Sequence, residues 1–175
     1  MDKGSENITQ CFLPQLVDKI FENHRFGLSG SQPLEEEQGQ LFYDLSRLLG
    51  EELVERALHL LDSYTFVYYR TGGNRQRCVV ELCKGTEVFR LLPDINYCKC
   101  DFFQSHVLQL PRGILYHDIP SSQERHLAGW SEESWSSYTC PHVLALRFHQ
   151  LLKPRTEQHI KPEQFRQLCG DIFRD

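Results

Sequence analysis

Four residues in the second half of the chain have the types and the spacing of metal ligands. Cys98 and Cys100 form one pair with a single residue between them, and Cys140 and His142 form a second pair of the same spacing. Three thiolates and one imidazole fill the four positions of a tetrahedral structural zinc site and leave none for water. The pattern therefore predicts that these four residues bind one Zn²⁺ ion in a closed, structural site.

Each pair has a predicted local conformation that brings its two ligands together. The residues before Cys98 are typical of a strand, and residues two apart in an extended chain face the same way, so both sulfurs can reach one ion while Lys99 faces outward. Pro141 precedes an apolar helical pattern, which predicts a helix that begins there with Cys140 as its N-cap. The free N–H groups of that helix end favour a thiolate at Cys140. We expect the metal to join a strand end to a helix.

Other interpretations of the cysteines and histidines stay open. Cysteine is often buried, so the four residues can also be ordinary packing. Cys78 and Cys83 are a second possible ligand pair, but at their spacing in a strand they face opposite ways, and we expect them to be buried thiols. His149 lies about 10 Å beyond His142 along the predicted helix and is expected on the surface. Three further histidines lack a closely spaced cysteine: His106, His117 and His126.

The ligand pattern resembles the SWIM-type zinc finger. That family has a C-x-C pair, a variable spacer and a C-x-H pair that opens an apolar helix, as in Cys98-Lys99-Cys100 and in Cys140-Pro141-His142 followed by Val143-Leu144-Ala145-Leu146. Over residues 41–152 the order of a helical part, a hairpin and the finger is similar to the small SWIM-domain subunit of the Shu complex. The spacer, residues 101–139, is longer than is usual in that family.

The resemblance implies a nuclear protein of homologous-recombination repair. Such a subunit pairs with a RecA-like recombinase paralogue and promotes assembly of the recombinase filament, and the partner makes most of the contacts with single-stranded DNA. An alternative is direct nucleic-acid binding by the finger, with a patch of basic residues formed by Lys99, Arg112, Arg125 and Arg147. A weaker alternative is an adaptor for protein modification.

We expect neither enzymatic activity nor a small-molecule substrate. A catalytic zinc needs an open coordination position, whereas all four positions are filled here. The sequence contains no H-E-x-x-H or G-x-S-x-G motif, and Gly72-Gly73 is not followed by the Gly-Lys-Ser/Thr of a P-loop.

Composition sets limits on the function. The 175 residues are 40% hydrophobic and 25% charged, which fits one globular domain with a real core. A net charge of −5 argues against a surface that attracts phosphates everywhere, so any nucleic-acid contact must be local. The cysteine count of seven is odd and suits thiols and metal better than a disulfide framework. No run of eighteen apolar residues occurs, so we expect neither a membrane segment nor secretion.

The predicted fold class is α+β, with N-terminal helices, a small antiparallel β-hairpin sheet and a finger closed by a C-terminal helix. Apolar spacing predicts helices over Leu13–Phe21 and Leu41–Leu61, the second divided at Gly50. β-forming residues predict strands over 63–70, 76–83 and 87–92, the first two joined by a turn at Thr71-Gly72-Gly73-Asn74. The chain thus divides into a helical part (1–62), a part with the sheet and the finger (63–152) and a tail with a short helix (153–175).

The spacer between the ligand pairs has two halves of different character. The first half is apolar and is expected to pack over the sheet, while residues 120–137 are rich in serine and glutamate and are typical of a surface loop. Trp130 and Trp135 lie in this second half. Because large aromatic side chains dominate binding hot spots, we predict that both contact the partner; the alternative is that they pack back onto the fold.

Overall fold

The computed structural model describes residues 13–26, 35–72, 77–108 and 137–173. Its helices are α1 (Leu13–Phe26), α2 (Glu35–Leu49), α3 (Glu51–Ser63), α4 (Pro141–Leu152) and α5 (Pro162–Phe173). Its strands are β1 (Thr65–Thr71), β2 (Cys78–Lys84), β3 (Glu87–Leu91) and β4 (Thr156–Ile160), and a short π-helical segment covers Phe103–Leu108. The predicted α+β class is confirmed. No helix in the described ranges combines the length and apolar character that crossing a bilayer requires.

The predicted break at Gly50 is confirmed, because this residue separates α2 from α3. Its φ of 89° and ψ of 143° lie in a region that residues with a Cβ rarely adopt. Both helices then bury their apolar sides in the same core, with Leu45 and Leu53 as examples. The glycine therefore sets the angle at which the second helix leaves the first.

Gly50→Ala should lower the free energy of unfolding by about 1–3 kcal/mol, the usual cost of such a backbone conformation. An added Cβ would meet no atom within 4 Å, so the loss would come from the backbone and not from a clash. Gly39→Ala is the matched control: its Cβ also meets nothing within 4 Å, but Gly39 is helical, so the change should stabilise by up to about 1 kcal/mol. Urea denaturation measures both. Equal effects of the two changes would contradict this role of Gly50.

The sheet has four strands in the order β3-β2-β1-β4. The first three strands of the chain pair antiparallel, as predicted, whereas β4 pairs parallel with β1 from Val67 opposite Thr156 to Thr71 opposite Ile160. The predicted antiparallel sheet therefore lacked this fourth, parallel strand, because its segment was assigned to the tail. The sequence of β4, Thr-Glu-Gln-His-Ile, is exposed along nearly its whole length and lacks an apolar face, so its strand conformation depends on pairing with β1.

Helices cover both faces of the sheet. Val80 and Leu82 of β2 belong to the main core, which α1 to α4 complete on one face. Val79 points into a second, smaller core with Phe165 and Ile172 of α5 on the other face. Alternate residues of β2 are thus buried on opposite sides, as expected for a central strand.

Candidate metal centre

The structure brings the four predicted ligands together. One ligand atom from each of Cys98, Cys100, Cys140 and His142 lies within 4.8 Å of the others. In a tetrahedral site with metal–sulfur bonds near 2.3 Å, neighbouring sulfurs are about 3.7 Å apart, so a modest contraction would bring the group to coordination distance. The three cysteines are buried and His142 is partly buried. The group could therefore hold a metal ion.

Helix α4 positions the second pair as the sequence predicted. Cys140 is the N-cap residue with extended backbone angles, φ −103° and ψ 164°, and Pro141 follows as the first helical residue. The backbone N–H of Leu144 donates to the carbonyl oxygen of Cys140 at 3.1 Å and closes the first helical turn. His142 is thereby fixed in the first turn, on the same side of the cluster as Cys140.

The first pair is not on a strand, contrary to our prediction. β3 ends at Leu91, and residues 92–100 form an irregular segment that leads into helical structure at residue 101. Cys98 and Cys100 are nevertheless buried while Lys99 is exposed, so the irregular segment provides the arrangement that was expected of a strand end. The N–H of Phe103 donates to the sulfur of Cys100 at 3.4 Å, a contact that favours a thiolate there.

Asn96 joins the two ligand-bearing segments, a role that the sequence did not reveal. Its side-chain amide donates to the carbonyl oxygen of Tyr138 at 2.8 Å, and its side-chain oxygen accepts a hydrogen bond from the hydroxyl of Thr139 at 2.7 Å. Thr139 is buried directly before Cys140. These two bonds hold the second pair beside the first across the long spacer.

Aromatic rings surround the imidazole of His142. The ring of Phe89 lies 3.9 Å from it between centroids, and Tyr64 approaches edge-on at 6.4 Å. The Nδ1 atom of His142 is buried and has no hydrogen-bond partner among the described residues. Leaving such a group unpaired is unfavourable. A metal ion bound through Nδ1 would give this atom a partner, so the observation fits a metal site.

The three thiols strongly change one another's proton affinity. Hydrogen bonds from Cys140 and Cys98 lower the pKa of Cys100, whereas the hydrogen bond to Cys100 raises the pKa of Cys98 to about 12. The pKa of Cys140 is raised mainly by burial, and its hydrogen bonds with the other two thiols raise it further. We expected the helix N-terminus to favour a thiolate at Cys140, but burial outweighs it. A bound cation is therefore what would stabilise three thiolates here.

The prediction of a surface location for His149 is wrong. Only 8% of this residue is exposed, its ring stacks on Phe66 at a centroid distance of 4.3 Å, and its Nδ1 shares a hydrogen bond of 2.9 Å with the hydroxyl of Tyr68. The residue lies on the side of α4 that faces β1, which the helical spacing alone did not identify.

The other candidates within the described ranges take no part in the cluster. His106 is held by contacts with Ser105 and with the backbone of Phe102, and Cys78 and Cys83 are half-buried elsewhere on the sheet. Of the apolar first half of the spacer, Phe103 is buried in the main core. Six residues of interest lie outside the described ranges: Arg112, His117, Arg125, His126, Trp130 and Trp135.

Comparisons with models of known protein families, with curated proteins and with solved structures found no match. The resemblance to the SWIM-type finger therefore rests on the ligand pattern of the sequence. The arrangement itself offers soft ligands, no open position and a buried environment, which together suit a structural metal better than a catalytic one.

Proposed function

We propose that Cys98, Cys100, Cys140 and His142 bind one structural Zn²⁺ ion. The main support for this proposal is that all four ligand atoms lie within 4.8 Å of one another. Three thiolates and an imidazole in a tetrahedral arrangement favour zinc over hard cations such as Mg²⁺ or Ca²⁺. Elemental analysis of the purified chain tests the metal: one equivalent of zinc supports the proposal, and iron or no metal contradicts it.

The zinc acts as a cross-link in the fold. It ties the irregular segment at Cys98 and Cys100 to the first turn of α4, which packs against α3 and continues toward β4. Because all four ligands are protein side chains, no position remains for a substrate or an activated water. The proposed zinc therefore has a structural and not a catalytic role.

The larger function that we propose is that of a SWIM-domain subunit of a Shu-type complex. In this role the chain pairs with a RecA-like recombinase paralogue in the nucleus and promotes recombinase filament assembly on single-stranded DNA during recombinational repair. The support is the resemblance in ligand pattern and element order, together with an acidic net charge of −5 that leaves most DNA contacts to the partner. This step rests on family likeness and is tested separately from the metal.

A tagged wild-type chain should recover a RecA-like paralogue from nuclear extract, as identified by mass spectrometry. The double variant Trp130→Ala/Trp135→Ala should lose most of this recovery and keep its zinc, because aromatic anchors dominate interfaces. Tyr43→Ala is the matched control, since Tyr43 is an aromatic residue of α2 that is 57% exposed. Full recovery by the tryptophan variant would contradict the role of the two residues.

Absence of any RecA-like protein from the zinc-loaded wild type would remove the repair-complex proposal. Direct nucleic-acid binding would then be tested by the salt dependence of affinity. One member of the predicted patch already has an acidic partner: Arg147 donates to Asp18 at 2.7 Å and lies 4.1 Å from the centre of the Phe21 ring. This ion pair lowers the contribution that Arg147 alone would make to such a patch.

A further inference from the structure

A cavity of about 490 Å³ lies away from the metal cluster, at the end of the sheet between α4 and α5. Its volume falls in the range of small-molecule sites, about 300–1,000 Å³. Strands β1 and β2, the segment that follows β3, the end of α4 and the first turns of α5 all contribute to its walls. None of the four metal ligands lines it.

The cavity concentrates positive charge in a chain that is acidic as a whole. Arg70, Arg77 and Arg155 line it, whereas Asp94 is the acidic residue of its wall. Glu157 pairs with Arg70, so three guanidinium groups face two carboxylates, and a net positive charge remains where the whole chain carries −5. Guanidinium groups are well shaped for bidentate contacts with phosphate or carboxylate oxygens.

Two of the three arginines are held in place before any ligand arrives. Arg155 donates to the carbonyl oxygen of Gln150 at 3.3 Å, and its guanidinium lies 5.7 Å from the centre of the buried Tyr68 ring. Arg70 pairs with Glu157 at 3.0 Å, and its side chain is only 20% exposed. Because these side chains are already ordered, less conformational entropy is lost when they bind an anion.

The remaining wall is apolar and suits an organic body attached to the anion. Leu92, Pro93 and Phe165 supply this surface, and Asp94 adds a hydrogen-bond acceptor. The cavity is also much larger than a single inorganic ion. Its guanidinium groups can donate to the oxygens of a phosphate monoester, which carries about −1.5 to −2 at neutral pH.

We propose that this cavity binds a small phosphate monoester of about mononucleotide size, with the phosphate on Arg70, Arg77 and Arg155 and the organic body against Leu92, Pro93 and Phe165. The site lies apart from the metal cluster and does not depend on the proposed repair function. From the sequence alone we expected no small-molecule ligand for this chain.

Isothermal titration of the full-length, zinc-loaded chain with adenosine monophosphate at low salt tests the proposal. We expect one site, competition by inorganic phosphate and no binding of adenosine, because the phosphate carries the recognition. Arg77→Gln/Arg155→Gln should weaken binding by about tenfold or more. Arg166→Gln is the matched control. Arg166 is an arginine of α5 whose side chain is 74% exposed, and it does not line the cavity. No binding of adenosine monophosphate or phosphate, or an equal loss in both variants, would overturn the proposal.

Two thiols in the wall give a second measurement that needs no variant. Cys78 and Cys169 line the cavity, whereas Cys83 is half-buried outside it. Adenosine monophosphate should slow alkylation of the first two and leave Cys83 unchanged, as read by peptide mass spectrometry. Unchanged rates at all three would place binding elsewhere and overturn the proposal, as would binding of an oligonucleotide without binding of either small probe.

Discussion

Cys140→Ser should lose zinc and stability together. The serine oxygen is a poor substitute for a thiolate, and the change leaves two buried cysteines and a partly buried imidazole facing an incomplete site. Structural zinc contributes folding free energy directly, on the order of 10 kcal/mol in small fingers, which is comparable with the whole stability of a domain. Because the main core extends well beyond the cluster, we expect a large loss of several kcal/mol and not complete unfolding. Elemental analysis and thermal unfolding measure the two effects.

Cys83→Ser is the control for this experiment. Cys83 is a half-buried thiol of β2 that stands outside the cluster, so its replacement removes a sulfur without removing a ligand. This variant should keep one equivalent of zinc and most of its stability. If Cys140→Ser also retained full zinc, Cys140 would not be a ligand and the assignment of the site would fail.

The group of four candidate ligands could be predicted because each pair is local in the chain. One residue of separation fixes how far apart two ligands can be, and Pro141 marks the beginning of a helix whatever packs around it. The same local reasoning predicted the break at Gly50, where a single residue adopts a backbone conformation that favours glycine. Such features need no knowledge of the rest of the fold.

The features that were missed are set by distant residues. β4 has no apolar face and becomes a strand through its pairing with β1, and Asn96 gains its role only when Tyr138 and Thr139 lie beside it. The first ligand pair was placed on a strand because the preceding residues favour one, yet β3 ends at Leu91. For β4 and for Asn96 the deciding partner is remote in sequence.

His149 illustrates the same limit, because histidine near the end of a helix is most often exposed. Its burial follows from Tyr68 and Phe66 on β1, which are more than seventy residues away in the sequence and supply a hydrogen bond and a stacked ring. Burial, then the positive charges of Lys153 and Arg155, lower the pKa of His149 to about 4. The imidazole is therefore neutral in the folded chain at physiological pH.

His149→Ala should destabilise the fold by about 3 kcal/mol and leave the zinc content unchanged. The change opens a cavity under α4 and removes the partner of a buried tyrosine hydroxyl, each a known cause of losses of about this size. Equilibrium unfolding at pH 7.5 measures the loss, and elemental analysis of the folded variant checks the metal. Loss of zinc from folded His149→Ala would show that the wrong histidine was assigned to the site.

The effect of this substitution should also depend on pH, in a direction that the pKa fixes. In the unfolded chain the imidazole binds a proton near its ordinary pKa of 6.5, whereas in the folded chain it does so only near 4. Its contribution to stability is therefore fully present above pH 6.5 and is lost as the pH falls toward 4. The difference in unfolding free energy between the wild type and His149→Ala should shrink over that interval. A difference that stays constant from pH 7.5 to pH 4.5 would mean that His149 is not held neutral by its burial against Tyr68.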